Sequence, residues 1–539
     1  MKKRDRILAL AMTLLISAAV LGACTSPAPA APTQAPAPTV PAATPAPAPA
    51  TPPAVVEGVR FAEEIDIIID ANPLALIDPF RPGGPGGPNR WAYTLIYDTL
   101  MVCLWDQGFD FGLATSYETD DFQTITMTLR DDVYFHNGDK FTAQDVVNTV
   151  LLGHASPGTM GATPWRNVAT ATAIDTYVVE FVLHEVDVDF FALIAHPGAG
   201  IINQRAIDED RDRGIWIGTG AFYVAEFHAN DFTVFHRNDN FWGGEPPTQR
   251  IILRFVPEMS ARTIMIQNDQ SQVSFGTNPA DMDLFTGDPE NFVVFPYVMT
   301  STNYLSFNMN DPITGCWYFR RAVAHAVNLD EVAMVAMGAW AQAWEGGSIW
   351  GYGTEFRNTD IPNIPFDLDT ARSYLERSVW NGESVEITAS QAQNIRASEL
   401  IQQHLSLVGI PVTINQVDTA GLASHASYQS NHSQMVAHVG TMTRSASSIR
   451  NLIASGAATN RASYNNPVIE EMLVQAGMTV DAAEREAIYR EIQEIIAHDL
   501  PYINTYNIIA APVGVRGIGG MFLRNCHSND LRFIYRVLD

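Results

Sequence analysis

Hydrophobic positions along this chain follow two different rhythms, separated by a stretch with neither. The first is a solid block. Ile7 to Val20 is apolar, follows the basic start Met1-Lys2-Lys3-Arg4-Asp5-Arg6 and is closed by Leu21-Gly22-Ala23-Cys24. Such a block is too short for a stable bilayer span and has the layout of a secretory leader. Thr25 to Glu57 is then nearly all Pro, Ala and Thr, uncharged until Glu57. A segment of that composition cannot bury a core and is expected to be extended and polyproline-like. At roughly 3.1 Å per residue it reaches up to about 100 Å.

Beyond Glu57 the rhythm alternates between periods of two and 3.6. Phe122 to Leu129 places Ile125, Met127 and Leu129 on one face and Thr124, Thr126 and Thr128 on the other, which predicts a half-buried strand. After the turn His136-Asn137-Gly138-Asp139, Thr142 is placed to cap a helix through Val150, with Asp145 completing a capping box. Tyr177 to Leu183 reads as a second β-branched strand. Asp481 caps a predicted helix whose Ile488, Ile492, Ile495 and Ile496 form an apolar stripe. Gly409 separates a predicted helix over 397–407 from a strand over 410–414. Mixed alternation of this kind predicts α/β architecture, and residues 58–539 are too many for one compact core.

Composition narrows the partners. The chain is 47% apolar and 17% charged, with a net charge of −27, so phosphate backbones are repelled and nucleic acid is an unsuitable partner. Lys140 is the only lysine after the leader, so arginine carries the remaining positive charge. Cys103, Cys316 and Cys526 are isolated, form no disulfide framework as a set of three and lack metal-ligand spacing. Hydrolase signatures are missing: there is no Gly-x-Ser-x-Gly elbow, and His184-Glu185 has no second histidine at zinc-helix spacing. Asp208 to Arg213 lacks the glycine and terminal glutamate of a calcium loop. The expectation is therefore a protein that is not an enzyme, with no catalytic residues, cofactor or metal.

Several ordered segments resemble a known family. Leu21-Gly22-Ala23-Cys24 is similar to the lipobox of bacterial lipoproteins, in which the cysteine is lipidated and becomes the new N-terminus. Leu113 to Glu118, Thr126 to Gly138, Phe141 to Val147, Ile217-Gly-Thr-Gly220-Ala-Phe-Tyr223 and Arg237 to Gly244 follow in order. Tyr304-Leu-Ser-Phe-Asn308, Phe319 to Ala326, Tyr464-Asn-Asn-Pro467 and Glu484 to Pro501 complete the set. Together they resemble the peptide/nickel branch (family 5) of extracytoplasmic solute-binding proteins, the capture components of ABC importers. Most of these motifs also have plain physical readings. Gly218 and Gly220 suit backbone conformations that side chains forbid, Phe241 and Trp242 suit a core, and Arg320-Arg321 suits solvent or an ion pair.

The resemblance implies an α/β, three-lobed periplasmic-binding-protein type II (Venus-flytrap) fold with mixed sheets. Its expected divisions are a leader over 1–23, a linker over 24–57, lobe I over 58–102, 214–300 and 508–539, an inserted lobe II over 103–213, and lobe III over 301–507. Crossings near Tyr297–Tyr304 and Tyr506–Ala511 would form a hinge, with ligand enclosed between lobes I and III. The implied partners are a peptide or other small solute, an ABC permease with its ATPase subunits, and the cell membrane through lipid on Cys24, for an extracytoplasmic protein expected to be a monomer.

Ligand identity is less legible. Peptide binders of this family often carry a tryptophan and an aspartate in the third lobe. Here the matching stretch, Met435 to Ala446, has no tryptophan, and no acid occurs between Asp418 and Glu470. Arg444 is a candidate fork for a carboxylate or phosphate, against a surface arginine. Trp344 and Trp350, on a Gly-rich loop, are candidates for sugar stacking or apolar side-chain pockets, against loop-anchoring core. Asn89 and Trp91, at the end of the rigid Arg81–Trp91 turn, and Tyr304 are further candidates. His425, His432 and His438 raise a nickel-chelate option, against solvated histidines. Peptide leads, oligosaccharide or another polar or anionic solute follows, and a sensor or adhesin on the same lobes is the reading from another class.

Overall fold

A computed structural model of the protein describes residues 60–69, 77–81, 89–103, 109–428, 433–440, 445–457, 459–521 and 530–538. The expected leader, the spacer and Cys24 lie outside the described residues, as do Arg444, His432, Cys526 and most of the Arg81–Trp91 turn.

Glu64-Ile-Asp-Ile-Ile-Ile69 is buried from Ile65 onward, and a strand of that kind needs cover on both faces and pairing on both edges. It lies parallel to Arg250–Phe255 on one side and Val273–Ser274 on the other. These three strands centre a seven-stranded sheet in the order 292–294, 513–515, 273–274, 64–69, 250–255, 232–237, 222–228. Ile65, Ile67 and Ile69 share one core with Phe222, Phe235 and Leu253.

Between strands 64–69 and 222–228 in sequence lies a four-stranded antiparallel sheet built from residues 114–183. Its strand Thr124–Leu129 buries Ile125, Met127 and Leu129, as its alternation predicts. Thr142 and Asp145 form the predicted capping box, and the helix they open runs to Ala155. A further strand is Val178–Leu183.

The C-terminal half builds a six-stranded sheet in the order 341–343, 502–510, 297–307, 435–440, 385–389, 412–416. Both of its faces are covered. Leu305, Phe307, Ile387 and Ala437 pack with helices 317–326, 329–337 and 392–406 on one face. On the other, Tyr304 and Tyr502 pack with Trp350, Leu452, Ile492 and Ile496. Asp481 caps the helix Ala482–Asp499 through the Glu484 amide at 2.9 Å. Gly409 adopts φ +87° between helix Ala392–Ser406 and strand Val412–Gln416. No helix among the described residues is long and apolar enough to cross a membrane.

Several motif residues act differently from their sequence reading. Gly218 and Gly220 are not in the positive-φ region; a Cβ there would lie 2.1 Å from the Ile96 carbonyl oxygen and 2.3 Å from that of Leu95. Close backbone approach, not unusual torsion, requires glycine. Arg320 is buried rather than solvated, and donates to the carbonyls of Thr314, Gly315 and Asp499. Cys103 is disulfide-bonded, with its partner outside the described residues, while Cys316 is free, so the isolated-cysteine reading fails for Cys103.

One buried cluster ties these segments together. The Asp98 carboxylate accepts from Thr219 Oγ1 at 3.0 Å, Trp242 Nε1 at 2.8 Å and Arg532 at 3.3 Å, and Arg532 also makes a two-pronged contact with Asp530. Burial alone would lower the Arg532 pKa, but Asp530 and Asp98 outweigh it and the net shift is upward, so the guanidinium stays charged. Removing Asp98 leaves Arg532 paired with Asp530 but strips Thr219 Oγ1 and Trp242 Nε1 of their acceptor. Asp98→Ala should therefore cost about 1–3 kcal/mol in the first urea-unfolding transition followed by tryptophan fluorescence, and Asp98→Asn, which retains an acceptor for Thr219 and Trp242, distinctly less.

Candidate functional site

The registers place the carboxyl ends of both mixed sheets toward one region. Val273 and Ser274 lie opposite Gly514 and Val513, so strand 273–274 ends beside the point where the chain enters the seven-stranded sheet from strand 502–510. Gly440 lies opposite Thr302, so strand 435–440 ends toward the same crossing. Strands 297–307 and 502–510 pass side by side between the two sheets, with register shifts between Val298 and Thr302 and between Asn303 and Tyr304.

Within the six-stranded sheet, strand 385–389 is parallel to 412–416 on one side and 435–440 on the other. The helix leaving it, 392–406, packs into the core with Ile387 through Ala397, Ile401 and Leu405. The next helix, 419–425, places Leu422 against Val436 on the opposite face. Successive connections thus leave on opposite faces, and the gap between strands 385–389 and 435–440 is a topological switch point. In open α/β sheets, ligands bind at such points, outside the carboxyl ends of the strands.

A cavity of about 390 Å³ opens there, lined among others by Ser390, Gln391, His438, Gly440, Asn451 and Arg461. Gln391 holds φ +69° at the strand-to-helix junction, a conformation that costs side-chain-bearing residues energy and clusters at functional sites. The His438 ring is buried, with Nε2 making no hydrogen bond. Burial, then the Arg461 charge, holds its pKa down at about 3, so it is neutral at ordinary pH. Arg461 Nη1 donates to the carbonyls of Ala426 at 2.9 Å and Leu422 at 3.3 Å. Next to Thr302 in the sheet, Asn507 is fully buried with neither amide atom hydrogen-bonded.

The segment that follows the inserted sheet is bonded to the C-terminal half. Ser445 Oγ donates to Asp189 Oδ1 at 2.8 Å, and the Val188 amide to the Gly477 carbonyl at 3.3 Å.

The sequence candidates fall elsewhere or only nearby. Trp350 is fully buried beside Tyr489 in the core. Tyr304 is buried in that core, its hydroxyl donating to the Ile349 carbonyl at 3.0 Å and its ring 5.7 Å from that of His438. Trp344 is buried beneath the Arg357 guanidinium, 4.8 Å from its ring, and lines a separate cavity of about 380 Å³. Trp91 is half-buried against Phe275, ring centroids 4.2 Å apart, at the end of strand 273–274. Arg444 and the Asn89 side chain lie outside the described residues. His438 is buried on a strand rather than solvated, whereas His425 is exposed at a helix end; no metal-binding group of three occurs among the described residues. Gln391, Asn451, Arg461 and Asn507 escaped the sequence reading.

Comparison with known proteins identifies the architecture. Residues 110–461 match the family model for bacterial extracellular solute-binding proteins, family 5 Middle. The dipeptide-binding protein of Escherichia coli (strain K12) is 24% identical over 468 residues, covering 77% of this chain and 86% of that protein. The periplasmic binding protein DppA from Helicobacter pylori, in complex with peptide STSA, superposes with a TM-score of 0.76 at 21% identity, covering 88% of this chain and 98% of that one. NikZ from Campylobacter jejuni, in complex with Ni(L-His), gives a TM-score of 0.76 at 15% identity, covering 88% and 99%. The fold is the α/β, three-lobed periplasmic-binding-protein type with mixed sheets.

A buried neutral histidine has a consequence for acid stability. With the folded pKa near 3 and the unfolded value near 6.5, the unfolded chain binds more protons in between, so stability falls as pH drops through that window. His438→Gln should remove up to about 1.4 kcal/mol per pH unit from the slope of unfolding free energy between pH 6 and 4, read from urea denaturation at stepped pH.

Proposed function

The chain belongs to the bacterial extracellular solute-binding proteins of family 5, and from that premise we propose that it is the capture component of an ABC importer. It takes an oligopeptide-like solute reversibly between a first and a third lobe and delivers it to a permease. The observation that carries this reading is the cavity at the switch point of the six-stranded sheet, beside the crossing toward which both sets of strand ends point. Peptide leads because the dipeptide-binding relative and the peptide-bound neighbour bind peptides by name.

The lobes are drawn as 58–102 with 214–300 and 508–539, 103–213, and 301–507. Strand membership supports this: one sheet takes strands from 64–69, 222–294 and 513–515, another from 114–183, a third from 297–510. Strands 297–307 and 502–510 serve as the hinge. Anchoring is through lipid on Cys24, with the Pro/Ala/Thr segment as the spacer, a reading supported by the leader-like sequence before it.

Two measurements test the proposal. Calorimetry and thermal unfolding of the lipid-free chain from residue 25 should detect short peptides in preference to oligosaccharides and nickel–histidine chelates. Peptide at a hundredfold excess over Kd should add about 2.7 kcal/mol of stability. Chemical turnover of any of these compounds would sink the capture reading. In cells, Cys24→Ser should move the protein from the membrane fraction to the soluble one; unchanged fractionation would remove the anchor.

A further inference from the structure

The switch-point cavity has a charge character opposite to that of the chain around it. The protein carries 59 acidic residues, yet none lies between Asp418 and Glu470, a stretch containing Arg444, Arg450 and Arg461. That stretch supplies most of the cavity wall, including His438, Asn451 and Arg461, and among the described residues no acidic side chain lines the cavity. The remaining polar groups are amides and hydroxyls, from Gln391, Asn451, Ser390 and Thr459.

We propose that this cavity holds a carboxylate of the bound solute, with Arg461 as its cation, and that it rejects a free α-ammonium group. The inference rests on the capture reading above and names the chemistry of that same site. An ammonium group placed here finds no counter-charge and meets Arg461, whereas a carboxylate meets a planar, permanently charged fork. The two carbonyls that hold Arg461 Nη1 fix the side chain in place before a ligand arrives, which lowers the ordering cost of binding. The carboxylate has two possible sources, the peptide terminus and an acidic side chain, and these are separable.

The test exposes the full chain to a pool of di- to pentapeptides in four matched forms and quantifies retained peptides by mass spectrometry. The forms are free acids, C-terminal amides, N-acetyl acids, and sequences with Glu replaced by Gln. Loss of the carboxylate that fills the cavity should cut retention by about tenfold or more, whereas N-acetylation should change it by less than about threefold. A drop on amidation assigns the terminus, and a drop on Glu-to-Gln exchange assigns a side chain. Equal retention of acids, amides and Gln forms overturns the inference while leaving the capture reading intact, as does loss of binding on N-acetylation alone. Retention of no peptide overturns both. Arg461→Gln should bring the acid and amide forms to parity without weakening the amide, and a preserved acid preference would remove Arg461 from this role. Should that variant fail to fold, Arg461→Lys and the wild-type comparison decide the same question.

Discussion

The two sheets are joined through the pair of neighbouring strands 297–307 and 502–510, which run antiparallel and pass from one sheet into the other, with Trp340 packed against the core of the seven-stranded sheet beside them. Hydrogen-bonded strands resist stretching and shear, so the sheets cannot drift apart along the pair. They can bend, and the register shifts beside Thr302 and Asn303 are where extra backbone bends such a ladder. The strand ends that converge there are carboxyl ends, where successive connections part to opposite faces and leave a gap. On the proposed reading, a single crossing bears both on what can move and on where a solute can sit.

The family-like motifs serve this framework more than they serve a ligand. Thr219 and Trp242 both bond Asp98, which joins the C-terminal Arg532. Gly218 and Gly220 let their backbone pass against residues 95 and 96. Asp499 is tied to Tyr464 through its carboxylate and to Arg320 through its carbonyl. These contacts join segments far apart in sequence, so motifs of this kind identify a fold long before they identify a cargo.

Local structure was legible where one short-range rule dominates. The alternation over 124–129, the Thr142–Asp145 box, the Asp481 cap and the Gly409 stop each depend on neighbours within a few residues. Architecture was legible because the motifs are long and ordered. The site was not. His438 sits in a polar-looking stretch, yet the strand Met435–Gly440 carries it into the interior beside Tyr304 and Tyr502. Arg461 and Gln391 lie seventy positions apart and meet only because helix 392–406 and strand 435–440 fold around strand 385–389. Trp350 looked available on a Gly-rich loop, but the loop folds inward over Tyr489. Pairwise geometry across such distances leaves no periodicity to read.

The bond from Ser445 to Asp189 joins the segment that follows the inserted sheet to the C-terminal half, away from the paired strands. A charge-assisted hydrogen bond that exists in one arrangement of the lobes and not in another biases their populations, and apparent affinity scales with the population competent to bind. On the proposed reading, a change at Asp189 or Ser445 is then not neutral toward cargo, although neither lines the switch-point cavity. Related chains with identical cavity residues can then differ in how tightly they hold the same solute.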